Sequence, residues 1–193
     1  DPLNVTSLSG KTLCFTPNFG TYSFYVSGGT YDGKEVIVAG GGSTATCLYD
    51  HATDTMISAG APTLPLGAAY GGFFMKPQTG GDAGKFLMMQ GGGAAGVTRF
   101  DPAAGTFVNA TPMVTTGNIA MQAHAIRLVT GGGNAGKHLI YHGVAQSGTT
   151  WFDETLGTMS AGPALVSVGT GGGSFEVTTG VRAGQILTAS GGG

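Results

Sequence analysis

Charge is scarce in this 193-residue chain: Lys and Arg number 8 and Asp and Glu 10, so charged residues make up 9% of it, against about 25% in an ordinary soluble domain. The eight basic residues never cluster and the formal net charge is -2, which leaves no electrostatic footprint for nucleic acid or for an anionic membrane surface. No apolar run approaches the roughly 20 residues that span a bilayer, so membrane insertion is not expected. The two cysteines, Cys14 and Cys47, form no CxxC or Cys/His spacing, which argues against zinc. There is also no Gly-x-Ser-x-Gly elbow, phosphate loop or dinucleotide fingerprint. The opening Asp1-Pro2-Leu3 has neither the basic nor the apolar stretch of a signal peptide, so an exported form is expected to be the mature one.

Glycine, by contrast, is abundant, with 38 residues, while apolar residues make up 41% of the chain and recur in short β-branched or aromatic runs. A disordered linker lacks such runs, so the chain is expected to fold, and its length suits one domain.

Self-similarity organises the rest. Lys34-Glu-Val-Ile-Val-Ala-Gly-Gly-Gly42, Lys85-Phe-Leu-Met-Met-Gln-Gly-Gly-Gly93, Lys137-His-Leu-Ile-Tyr-His-Gly-Val144 and Gln185-Ile-Leu-Thr-Ala-Ser-Gly-Gly-Gly193 start 51, 52 and 48 residues apart. A second element follows the first three: Tyr49-Asp50 with Met56, Phe100-Asp101 with Phe107, and Phe152-Asp153 with Met159, the bulky residues always seven apart. It reads as a β-hairpin whose aromatic ends one strand and whose Asp caps the turn by accepting backbone amides. Pro17, Pro62, Pro112 and Pro163 mark the exit from the last strand of each unit, since proline cannot donate to a ladder. Innermost strands are expected at Ser23 to Val26, Gly72 to Met75, Ala125 to Leu128 and Thr178 to Val181. Each unit is thus a four-stranded antiparallel meander.

A period near 50, an apolar strand ending in a diglycine, then an aromatic and a second bulky residue together resemble the kelch repeat over nearly the whole chain. The departures are Met56, Phe107 and Met159, where the family usually has Trp, and Gly143-Val144, where one diglycine is lost. The resemblance implies an all-β, kelch-like β-propeller. Residues 1–18 align with a strand-three and strand-four hairpin (Val5 on Phe100, Gly10 on Gly105, Pro17 on Pro112), while the last residues supply strands one and two. The expected architecture is one domain of four blades, approximately 19–61, 62–111, 112–162, and 163–193 plus 1–18, closed by pairing the two half-blades. A fragment of a six- to eight-bladed propeller, or an eight-bladed ring shared by two chains, has the same repeats.

Within that architecture, Cys14 falls on the outer strand of the composite blade and Cys47 on the third strand of the next. They meet either as a disulfide or as two buried thiols. Asn4 and Asn109 begin glycosylation triplets. His138 and His142 are too far apart along a strand to share a metal, and are expected to pack between blades, as are Trp151, Met75, Met88, Met89 and Met121. His124 and Arg127 lie on or beside the third innermost strand, with Tyr22 and Tyr70 at the corresponding entry of the first and second, facing the central channel or its mouth, where propellers commonly place ligands. A weaker similarity, around Lys34 to Leu48, is to the propeller domain of galactose-oxidase and glyoxal-oxidase-like copper enzymes. Their cross-linked Cys would fall in the Ser23 to Tyr25 region, no paired His follows, and only Tyr70 matches, so neither copper nor another cofactor is expected.

The function expected is a non-catalytic, extracellular or cell-surface binding module for a protein or glycan partner. The alternatives are a structural subunit that meets copies of itself, and a fragment of a copper-radical-oxidase-like enzyme.

Overall fold

The computed structural model describes residues 12–16, 21–67, 72–130, 132–144, 146–165 and 172–190. Those residues are all-β, with no α-helix among them and a single 3-10 turn at Gly132–Asn134. The first sheet runs β1 (Tyr22–Val26), β2 (Lys34–Val38), β3 (Thr46–Asp50), β4 (Thr55–Ile57). The second runs β5 (Phe73–Met75), β6 (Phe86–Gly91), β7 (Ala94–Asp101), β8 (Thr106–Ile119). The third runs β9 (His124–Arg127), β10 (Lys137–Tyr141), β11 (Thr149–Asp153), β12 (Thr158–Ala161), and the fourth pairs β13 (Gly172–Glu176) with β14 (Ile186–Ser190). Every pairing is antiparallel between chain neighbours, so the first three sheets are meanders in sequence order.

The repeated hairpin takes the conformation its residues dictate. Tyr49 faces Met56, Phe100 faces Phe107 and Phe152 faces Met159 across their ladders. Oδ1 of Asp50 accepts from the amides of Ala52 and Thr53, that of Asp101 from Ala103, and that of Asp153 from Thr155 and Leu156. The left-handed turn position is filled by Asp54, Gly105 and Gly157, the residue types that tolerate it best.

Alternation along the central strands buries both faces. In β6, Phe86 and Met88 pack with Phe24, Val26, Val36 and Val38 of the first sheet, whereas Leu87 and Met89 pack with Ile140 and Phe152 of the third. In β10, Ile140 faces the second sheet, and Leu139 and Tyr141 face Ile186 of the fourth. The sheets therefore stack face to face in chain order, each fully buried aromatic or aliphatic side chain contributing about 2–3 kcal/mol.

Four expectations need correction. Pro112 does not end a strand: β8 continues to Ile119, past the expected 111/112 boundary, and its register slips between the Thr98–Asn109 and Gly96–Val114 pairs. Pro112 lies in that irregularity on an outer strand, a place where a missing donor costs nothing, and the slip turns Met113 toward the same core as Ala110. The first strand of the fourth sheet is Gly172–Glu176, not the expected Thr178 to Val181. The latter lies in a turn closed by bonds from the Gly184 amide to Val177 and the Gln185 amide to Arg182, and Val181 is fully exposed. Met121 is 53% exposed rather than core, because it sits in the connection before β9. Cys14 lies in an irregular stretch, not in a strand, although it forms a disulfide with Cys47, with a Cα–Cα distance of 5.6 Å. Asn4, Tyr70, Pro17 and most of the N-terminal half of the expected composite blade fall outside the described residues.

Candidate functional site

Strand β9 is the organising element. His124 and Arg127 are three residues apart, an odd separation that sends them to opposite faces of the strand. The two expected site residues are thereby divided between two neighbouring sheets.

Arg127 turns toward the second sheet and pairs with Glu154, the residue after β11, through Nε to Oε1 at 2.7 Å and Nη2 to Oε2 at 3.4 Å. Glu154 is completely buried. Its Oε2 also accepts the amides of Gln78 and Thr79 (3.1 and 3.0 Å) and the Thr79 hydroxyl (2.9 Å), and its Oε1 accepts Nε2–H of His138 at 2.6 Å. Burial alone pushes a carboxyl pKa up. Here the bonds from Arg127, Thr79, His138 and the Gln78 amide outweigh it and bring Glu154 down to about 2. Burial holds the His138 pKa below its ordinary value despite the neighbouring carboxylate, so the imidazole donates as a neutral ring. Two charges and a histidine are thus consumed in a joint between the turn of one sheet and the body of the next.

The joint recurs. Thr30, in the turn between β1 and β2, donates its amide to the carbonyl of Pro102 (3.0 Å) and its hydroxyl to that of Ala103 (3.2 Å). Thr130, in the turn after β9, gives its amide and hydroxyl to Oε1 of Glu176 at 2.8 and 2.6 Å, while the Val129 amide reaches Oε2 at 2.6 Å. Glycine is required beside the first two: a Cβ on Gly29 would lie 2.0 Å from the Pro102 carbonyl oxygen, and one on Gly80 1.8 Å from that of Glu154.

His124 turns the other way. Its ring stacks on Tyr141 at 4.6 Å with an interplanar angle of 16°, and Nε2 meets Oγ of Ser174 in β13 at 3.0 Å. Burial raises the Tyr141 pKa, and a hydrogen bond with Ser174 opposes it. At the matching start of β1, Tyr22 lies 6.4 Å from Phe74, and its hydroxyl is buried with no hydrogen-bond partner among the described residues. Burial raises the pKa of that phenol strongly. Tyr70 lies outside the described residues.

Of the remaining candidates, Asn109 is exposed on β8 and His142 is buried against Oγ1 of Thr150 at 2.8 Å, its pKa lowered by burial. Trp151 packs, half buried, between the third and fourth sheets. Among the described residues no three side chains of His, Cys, Asp and Glu converge as metal ligands would. None of the described helical turns is long and apolar enough to cross a membrane, and the disulfide belongs to an oxidising compartment.

No sequence motif marks Glu154 as a site residue. The available signal was its place in the repeat, immediately after the capping Asp153 where His51 and Pro102 follow Asp50 and Asp101. No protein-family model matches the chain, and no curated protein does. Chemically, the joint around Glu154 is saturated, whereas the starts of β1 and β9 carry the half-buried rings of Tyr22 and His124.

Proposed function

We propose that this chain is a kelch-like β-propeller array and acts as an extracellular, non-catalytic interaction module for a protein or glycan partner. The observation that carries this reading is the division of labour on β9. Arg127 is spent on the joint with Glu154, while at the other side the half-buried His124 and Ser174 meet over the buried ring of Tyr141. Aromatic faces beside hydroxyl groups suit the apolar faces and hydroxyls of a sugar. Tyr22 belongs to the same level of the array, and Tyr70 is expected there. The Cys14–Cys47 disulfide supports an extracellular setting and ties the N-terminal segment to the first sheet.

The test is a panel of oligosaccharides and of extracellular proteins screened against the oxidised chain. Replacing Tyr22, Tyr70 and His124 together by Ala is expected to weaken the ligand found by about tenfold or more, each tenfold being about 1.4 kcal/mol. Unchanged affinity for every ligand would overturn the assignment.

A further inference from the structure

The three joints described above each take the turn between the first two strands of one sheet into the next sheet. The fourth such turn is built the same way. Thr178, Thr179 and Gly180 precede β14 as Gln78, Thr79 and Gly80 precede β6, and Gly180 has φ of +81° beside +75° for Gly80 and +78° for Gly29. Unlike theirs, its position meets nothing among the described residues: none of their atoms lies within 4 Å of a Cβ placed on Gly180, and Thr178, Thr179 and Arg182 are exposed.

The first sheet carries the matching receptor on its outer face. His51 follows Asp50 as Glu154 follows Asp153, and Glu35 faces Tyr49 across the ladder as His138 faces Phe152. Tyr25 faces Glu35 as Arg127 faces His138. The acid and the imidazole have exchanged places but still meet, His51 Nε2 lying 3.3 Å from Glu35 Oε2, with the edge of the His51 ring on Tyr49 at 4.7 Å. In the buried joint the Glu154 carboxylate is inaccessible; here the His51 and Glu35 side chains are 46% and 30% exposed and Tyr25 is 53% exposed. The acceptors a turn needs are present in the Glu35 carboxylate, which already takes the Ser23 hydroxyl on Oε1 but has lone pairs left as Glu154 does, and in the His51 carbonyl, at the position from which Pro102 accepts Thr30. Arg182 in the free turn carries the charge complementary to Glu35.

We infer that the Thr178–Gly180 turn of one copy docks on the His51–Glu35–Tyr25 surface of a second copy, so that chains associate head to tail. The inference rests on the propeller-like array proposed above, since it extends the same joint between molecules. A turn and a receptor on different surfaces make a heterologous contact, which yields a ring if the rotation closes and a filament if it does not.

The experiment is sedimentation velocity and native mass spectrometry of the oxidised chain over a range of concentrations, with Thr179→Trp on the turn and His51→Trp on the receptor. The wild type is expected to pass from a 19.2 kDa monomer to dimers and larger species as concentration rises. Each variant alone is expected to raise the dissociation constant at least about tenfold. An equimolar mixture of the two retains one intact turn and one intact receptor, and is expected to form dimers and nothing larger. A wild type that stays monomeric throughout, with its turn closed on its own receptor or on nothing, would overturn the inference. So would association that both variants leave unchanged. The Tyr22, Tyr70 and His124 substitutions leave this contact intact, so loss of ligand binding and loss of association are read separately.

Discussion

The turns Gln78–Gly80 and Thr178–Gly180 have nearly the same sequence and the same left-handed glycine, yet one is locked and the other meets no partner among the described residues. The difference lies entirely in what faces them. The first delivers two amides and a hydroxyl to a buried carboxylate that Arg127 and His138 also satisfy. The second faces solvent. Local sequence sets the shape of a turn, and only the neighbouring sheet decides whether that shape bears on stability.

Removing the Cys14–Cys47 disulfide, which closes a loop of 33 residues, should cost roughly 3–4 kcal/mol on the chain-entropy account. Breaking the filled joint should have nearly as large an effect. Glu154→Ala leaves the half-buried Arg127 charge, the buried His138 donor and two amides without their acceptor, and should cost about 3 kcal/mol in denaturant melts. Gly80→Ala forces a Cβ into the Glu154 carbonyl and should cost about 3 kcal/mol, whereas Gly180→Ala, strained only by its positive φ, should cost about 1 kcal/mol. The contrast between the two glycines sharpens the comparison more than either value does.

Acid should act on the same joint. Because the folded pKa of Glu154 is depressed to about 2, its contribution is complete above the ordinary carboxyl range and is lost as pH falls from about 4.5 toward 2. His138 and His142 are held below their ordinary value, so the unfolded chain takes up their protons first and stability already declines as pH drops below about 6.5. Thermal melts from pH 7 to pH 2 should show both phases, and Glu154→Gln should flatten the lower one. The smallest effect is expected at the exposed counterpart: His51→Ala should change monomer stability by less than about 1 kcal/mol.

Much of this fold is legible in local residues. The capping aspartates Asp50, Asp101 and Asp153, and the aromatic and bulky pairs seven residues apart, place three hairpins in correct register. Pro112 misleads because an outer strand with a slipped ladder accepts proline as readily as a strand end does. Thr178 to Val181 misleads because two Thr and a Val look like strand residues. The periodic glycines Gly33, Gly84, Gly136 and Gly184, all left-handed, are the better guide to where each second strand begins. The candidate site was only half legible: the positions of His124 and Arg127 follow from the repeat, but the fate of Arg127 depends on Glu154, whose Gln78 and Thr79 partners lie 76 and 75 residues away. No local pattern encodes a contact of that range.

Amide hydrogen exchange on the dilute monomer tests the central claim most directly, because it reads the equivalent turns in one experiment. The amides of Gln78, Thr79, Val129 and Thr130 are expected to be protected to nearly the level of the central strands, and those of Thr178 and Thr179 to exchange at close to the free-chain rate. Equal protection of all these turns, or fast exchange at Gln78 and Thr79, would contradict the turn-and-acceptor joint as what holds successive sheets together.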